Sequence, residues 1–443
     1  MTTPTQLIAG ARRSDGQTTD ILVENGVITE MGSVSAPAGA ERIDAEGLLA
    51  LPGLVDLHTH LREPGFEQSE TVLTGTRAAA AGGFTAVFAM ANTSPVADTA
   101  GVVEQELELG YRAGYATVQP IGAVTIGLKG ERLAELGAMA SSRARVRVFS
   151  DDGFCVSDPL LMRRALEYVK AFGGVIAQHA QDPRLTEGAQ MNEGVRSAEL
   201  GLTGWPAVAE ESIIARDVLL AEHVGSRLHV CHVSTAGSVE VIRWAKARGI
   251  PVTAEVTPHH LLLTDDLVAG YDARYKVNPP LRTQDDVAAV REALADGTID
   301  IVATDHAPHP AENKQCEWDA AANGMVGLES ALRVVHESVV TTGQLDWTDV
   351  ERVLSSAPAR IGMLSGHGEP LTVGSSANIV LYDDSAAGEF SQNSLKGRSA
   401  NSPYLGRHLP GRVVTTVHKG RVTLDNGELK EPGEVIQEAT FHG

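Results

Sequence analysis

The chain is poor in cysteine, with only Cys155, Cys231 and Cys316 among 443 residues. An odd number at wide spacing argues against a disulfide framework and fits a reducing compartment. Long hydrophobic runs are missing too. No stretch reaches the roughly 18 continuous apolar residues of a membrane span, and Met1 to Arg13 lacks the apolar core of a signal peptide. Basic clusters are also absent: 36 Lys and Arg stand against 57 Asp and Glu, for a formal net charge of −21. Surfaces for nucleic acid or anionic membrane need clustered Lys and Arg, so neither partner is expected. There is no internal repeat and no low-complexity tract. These absences leave a cytoplasmic enzyme as the expectation. Any anionic substrate would have to meet a local cation, an arginine or a metal, inside an acidic protein.

What is present is a regular alternation. Short apolar runs at Leu49–Leu57, Phe84–Met90, Thr117–Val124, Arg145–Ser150, Val175–His179, Leu228–His232, Val252–Val256 and Ile299–Thr304 read as strands. Amphipathic segments at Ser69–Ala81, Gly101–Arg112, Pro159–Phe172, Trp205–His223, Ala236–Arg248 and Gln284–Leu294 read as helices between them. Eight strands with intervening helices predict an α/β fold, a parallel (β/α)8 TIM-like barrel over residues 54–365. The ends differ, being Gly-punctuated and rich in Val, Ile and Thr. Asn25-Gly26 and Asn426-Gly427 are hairpin signals. Residues 1–53 and 366–443 are therefore expected to pair into one small β-sandwich domain.

The chemistry is concentrated at the expected strand ends. His58 and His60 close the first apolar run. Residues i and i+2 of a strand share a side, so both imidazoles can reach one metal ion. The following Leu61-Arg62-Glu63-Pro64-Gly65 cannot continue a strand, which puts the pair at the C-terminal end, where barrel active sites form. Taken alone, His-x-His is a weak signal. However, His179, His232 and Asp305 also close strands, and Val146, Val148, Ser150 and Asp152 share one face of another. A satisfied core residue is the better reading for any one of these histidines, but a poor one for the set. Imidazole with carboxylate suits zinc or a similar first-row ion. By the same alternation, His229 and Cys231 should face the helices.

The segments His58-Thr-His-Leu-Arg-Glu-Pro-Gly65, Met90-Ala-Asn-Thr-Ser-Pro95, Asp151-Asp-Gly153, Thr257-Pro-His-His-Leu261, Asn278-Pro-Pro280 and Ala303-Thr-Asp-His-Ala-Pro-His309 resemble those of bacterial dihydroorotases in the amidohydrolase superfamily. The resemblance covers nearly the whole chain. It implies reversible cyclisation of N-carbamoyl-L-aspartate to L-dihydroorotate in pyrimidine biosynthesis, with one or two zinc ions per subunit. It further implies that His58, His60 and Asp305 hold one metal and His179 and His232 a second. Many superfamily members bridge two metals with a carboxylated lysine on the fourth strand. Here Val146-Arg-Val-Phe-Ser-Asp-Asp152 has no lysine, so Asp152 takes that place. His60, Asn92, Asn278 and His309 are implied as substrate contacts. Asn323-Gly324 stands where the family has an aromatic residue and a glycine, which keeps Gly324 and puts the side-chain contact of Asn323 in doubt.

Ring opening needs a nucleophile at neutral pH, a polarised carbonyl and a proton for the leaving nitrogen. A bound metal lowers the pKa of water to roughly 7. Asp305 is the candidate general acid/base, with a purely ligating role as its alternative. Arg62 is placed for a bidentate contact to the substrate carboxylate, with an ion pair to Glu63 as its alternative. The expected partners are a small-molecule substrate, aspartate transcarbamoylase and a second copy of the chain in a homodimer. Two competing readings are an allantoinase or hydantoinase, and an inactive scaffold for aspartate transcarbamoylase.

Overall fold

The computed structural model describes residues 4–431. Eight short parallel strands form its centre: β1 (Leu54–Thr59), β2 (Phe84–Ala89), β3 (Thr117–Pro120), β4 (Val148–Phe149), β5 (Val175–Gln178), β6 (Arg227–Val230), β7 (Val252–Val256) and β8 (Ile301–Val302). Strands β1–β3 hydrogen-bond side by side, and so do β4–β8. Parallel bridges Gly122↔Phe149 and Thr59↔His306 join the two groups and close the cylinder. This is the expected (β/α)8 barrel, and all six helices read from periodicity are present. The strands read as apolar runs because both faces are buried. Val55, Leu57, Phe88, Val175, Ala177 and Ile301 fill the interior. Val87, Val118, Ile176, Leu228 and Val252 pack outward on Val103, Val169, Val218, Ile242 and Val290 of the helices.

Helix starts follow capping chemistry. Asp158 Oδ1 accepts from Leu161 N at 2.8 Å, just ahead of Pro159 at the first helical position. Thr283 and Asp286 form a reciprocal capping box. Three helices behind β8 (Ala331–Val335, Trp347–Glu351 and Ala357–Gly362) had no counterpart among the expected segments.

The two termini join in one nine-stranded mixed sheet. Ile8, Ile21, Val23, Ile379, Leu381 and Val417 make its core. Both hairpin signals are turns with positive φ at each central residue: 52° and 80° at Asn25-Gly26, 49° and 79° at Asn426-Gly427. The run Leu49–Leu57 proves to be two strands. Leu49–Pro52 pairs antiparallel with Ile379–Tyr382 in the terminal sheet, and β1 starts afresh at Leu54. Gly53 sits between them, where an added Cβ would lie 2.4 Å from the Thr85 side chain. Pro52-Gly53 was the break signal within an otherwise apolar stretch.

One excursion from this sheet matters for the site. Between strands Ile379–Glu389 and His408–His418, residues 390–407 reach across to the C-terminal end of the barrel. Ser399 Oγ donates to Ser69 O at 2.6 Å, and Asn401 Nδ2 donates to Ala307 O at 3.0 Å and Gly324 O at 3.2 Å.

Candidate metal centre

His58, His60, Asp152, His179, His232 and Asp305 converge at the C-terminal end of the barrel, each 5% exposed or less. His58 Nε2 lies 3.4 Å from both Asp152 Oδ2 and Asp305 Oδ1. His60 Nε2 lies 3.3 Å and 3.1 Å from the same two oxygens. The other Asp152 oxygen, Oδ1, is 3.1 Å from His179 Nδ1 and 3.2 Å from His232 Nε2, and those two nitrogens are 2.8 Å apart. Asp152 thus gives one oxygen to each of two ligand groups. Its neighbour Asp151 turns away and accepts from Val124 N and Thr125 N at 2.8 and 2.9 Å.

These residues fit a metal ion. His58 Nε2 is buried without a hydrogen-bond partner. Burial disfavours charge on the imidazoles, yet the carboxylates raise the pKa of His58, His60 and His179 above the usual range. Asp152 and Asp305 are held below the usual carboxylate range, because the histidines outweigh the opposing effect of burial. The pocket favours positive charge at its centre, and a divalent cation supplies it.

The ligands are braced from behind. His58 Nδ1 donates to Glu255 Oε1 at 2.6 Å, and Glu255 Oε2 accepts from His229 Nε2 at 2.9 Å. Against its burial, His58 and His229 keep Glu255 ionised. Such a carboxylate–imidazole pair fixes ring orientation toward a metal. Strand alternation put His229 and Cys231 on the helix side, and the structure corrects this. Cys231 packs in the interior cluster, and His229 meets Glu255. The reason is local: His232 has φ 34°, so the chain leaves strand geometry at the ligand itself and the parity count fails. Burial pushes the Cys231 thiol up, so without a metal on it the thiol stays protonated.

The other candidates line the same end. Arg62 Nε donates to Pro308 O at 3.3 Å, while Glu63 accepts from Val72 N at 2.8 Å rather than pairing with Arg62. Burial lowers the guanidinium pKa to about 10. Asn92 Oδ1 accepts from His60 Nδ1 at 2.9 Å. Asn278 Nδ2 donates to Gln181 Oε1 at 3.2 Å, and its Oδ1 is buried and unpartnered. His260 Nε2 lies 3.2 Å from Pro279 O and Pro280 O and holds that loop. His309 Nε2 donates to Asn323 O at 2.7 Å. Asn323 is exposed and takes part through its carbonyl. Gly324, at φ 127°, could not carry a side chain, since a Cβ would sit 2.7 Å from Ala307 Cβ and 3.0 Å from His309 Nε2.

Three contributors were not read from the sequence. Asn401 Oδ1 accepts from His309 N at 3.1 Å. Lys314 Nζ donates to Lys276 O, Ala322 O and Gly324 O at 3.2, 2.7 and 2.9 Å. Gln181 contacts His179 Nε2 at 2.7 Å. Only Gln181 stood close to a recognised ligand in the chain.

Over 431 residues, 97% of this chain and 98% of the relative, the sequence is 75% identical to a dihydroorotase of Leifsonia xyli subsp. xyli. The chain belongs to the dihydroorotase family. A family model described as dihydro-orotase-like matches residues 47–238. A Streptomyces coelicolor dihydroorotase is 67% identical over 423 residues, covering 96% of this chain and 99% of the relative. Among solved structures, the L-hydantoinase (dihydropyrimidinase) of Arthrobacter aurescens aligns with a TM-score of 0.85 at 26% identity, covering 97% of this chain and 98% of that one. The dihydropyrimidinase of Brevibacillus agri aligns at 0.84 and 23%, covering 97% of each chain, which is a likeness of fold. Within the dihydroorotase family this chain presents an aspartate, Asp152, between its two ligand groups.

Proposed function

We propose that the chain is a dihydroorotase, interconverting N-carbamoyl-L-aspartate and L-dihydroorotate in de novo pyrimidine (UMP) biosynthesis. The observation that carries this reading is a half-buried guanidinium, Arg62, beside an otherwise acidic centre. A substrate with a carboxylate next to a hydrolysable ring amide suits that pairing of charges. A cation at the centre would supply Lewis acidity toward water and the ring carbonyl. His58, His60 and Asp305 would hold one zinc ion, His179 and His232 a second, and Asp152 would serve both.

In hydrolysis, water adds to the carbonyl carbon of the ring amide and the C–N bond breaks. Asp305 takes a proton from the water and returns it to the leaving nitrogen. In cyclisation the same carboxylate removes a proton from the carbamoyl nitrogen as that nitrogen attacks the side-chain carboxyl, and water leaves. Arg62, with Asn92, grips the carboxylate that does not react, and His309 lines the pocket beside the guanidinium. Asn278 Oδ1 accepts a ring N–H, which accounts for a buried oxygen without a partner. His60 and the carbonyl-lined turn at Asn323-Gly324 complete the pocket wall.

We assign residues 54–365 to the catalytic barrel and residues 1–53 and 366–443 to the terminal β-unit; residues 1–3 and 432–443 lie outside the described residues. No helix among the described residues is long and apolar enough to cross a membrane. We assign the enzyme to the cytoplasm, as a homodimer able to work with aspartate transcarbamoylase. The test is a side-by-side assay of dihydroorotate, allantoin and dihydrouracil with metal analysis of the purified protein. Turnover of dihydroorotate with bound zinc is the expected result. Activity on only the other two rings would assign a hydantoinase or allantoinase, and protein without metal or turnover would assign a scaffold.

A further inference from the structure

A chain of hydrogen bonds with a fixed direction runs into the site from a peptide carbonyl. Thr186 Oγ1 donates to Asp182 O at 2.9 Å, so the hydroxyl proton is committed and its lone pairs face the other way. Those lone pairs accept from Gln181 Nε2 at 2.7 Å. With its nitrogen committed, the Gln181 amide must turn Oε1 toward the site. There Oε1 accepts twice, from His179 Nε2 at 2.7 Å and from Asn278 Nδ2 at 3.2 Å.

Each acceptance decides something further along. An imidazole that donates through Nε2 carries its lone pair on Nδ1. His179 Nδ1 is the atom that faces Asp152 Oδ1 and His232 Nε2. A side-chain amide that donates through Nδ2 presents Oδ1 on its other side. Asn278 Oδ1 is the buried atom without a partner. If Gln181 were turned over, an N–H would face His179 Nε2, the ring proton would move to Nδ1, and Asn278 would lose the bond that fixes its direction.

We propose that Gln181 is a positioning residue that sets two things at once: the metal-binding tautomer of His179 and the acceptor orientation of Asn278. It thereby couples the second ligand group to recognition of the substrate ring amide. This inference rests on the dihydroorotase reading for its substrate half, while its metal half stands on the ligand geometry alone. Thr186 is the anchor that gives the chain its direction.

The test uses the full-length protein and three substitutions. Zinc retention is measured by competition with a chromogenic chelator, and KM and kcat are measured on dihydroorotate. Gln181→Met removes both acceptances and is expected to weaken zinc retention about 10- to 100-fold, with a rise in KM, as loss of an outer partner of a metal-binding histidine does. Gln181→Glu keeps an oxygen toward both donors and is expected to restore zinc retention and KM most of the way to wild type. Thr186→Val frees the Gln181 amide to turn and is expected to fall between the two. Wild-type zinc retention and KM in Gln181→Met would overturn the proposal, as would Gln181→Glu behaving no better than Gln181→Met. Should Gln181→Met fail to fold, Thr186→Val decides: unchanged zinc retention and KM there refute the coupling. If wild-type protein binds zinc but does not turn over dihydroorotate, the assigned reaction falls, and the zinc measurements still judge the role of Gln181.

Discussion

Replacing Arg62 by methionine tests the assignment most directly. Partial burial lowers the guanidinium pKa from its ordinary value to about 10. The position is prepared. Arg62 stands at φ 66° in the left-handed region, and its Nε is already donated to Pro308 O. Nη2 lies 3.5 Å from His309 Nε2, which itself donates to Asn323 O and is no acceptor. The η nitrogens are therefore available for a substrate carboxylate. Two charge-assisted hydrogen bonds at about 1.5–3 kcal/mol each, partly replaced by Asn92, put the loss at about 3–4 kcal/mol. Arg62→Met should raise KM for dihydroorotate by roughly 100- to 1000-fold, since about 1.4 kcal/mol is tenfold. It should leave kcat within about tenfold, because the contact is made equally in ground and transition states. Steady-state kinetics with dihydroorotate give the first half of the assay. The second half is inhibition by dihydrouracil, which lacks the carboxylate and should bind wild type and variant alike. An unchanged KM, or an equal loss for both ligands, would show that Arg62 does not meet the carboxylate.

Three further outcomes follow from the same geometry. Asp305→Ala should abolish measurable turnover while the protein stays folded by circular dichroism; wild-type kinetics would exclude Asp305 as the proton carrier. Gly324→Ala should cost about 2–4 kcal/mol in unfolding free energy or force the His309 loop outward, because the added Cβ meets Ala307 and His309 at a φ of 127°; a crystal structure showing both loops unmoved, with unchanged stability, would contradict this. Cys231→Ala should keep the full metal content by elemental analysis and lose about 1–2 kcal/mol of stability as a small buried group is removed, whereas loss of metal would make the thiol a ligand.

How much of this was legible in the sequence depends on what determines each feature. The barrel could be read because its strands are buried on both faces, and topology fixes which end of a strand reaches the site. That rule brought His58, His179, His232 and Asp305 together, and strand alternation added Asp152. The supports could not be read in this way. Asn401 lies 92 residues beyond His309 in chain order, on an excursion from another sheet, and nothing local in Ser399-Ala-Asn401 signals it. Glu255 braces His58 and His229 at once, a double role set by two neighbouring strands that nothing local in Val252–Val256 signals.

The failures of alternation are the informative ones. His232 and Asp305 stand at φ 34° and 47°, and β1 shifts register between Asp56 and Thr59, where His58 lies. At the Asp56 side chain, Oδ1 accepts from both His58 N and Thr304 N, which ties that irregularity to the seam between β1 and β8. A non-glycine residue in the left-handed region costs roughly 1–2 kcal/mol, so the fold accepts strain at His232 and Asp305. Regular strand geometry would send alternate side chains apart; the irregular backbone lets ligands from five strands aim at a common centre. Parity therefore holds along the strand bodies and breaks where it would otherwise have kept the ligands from converging.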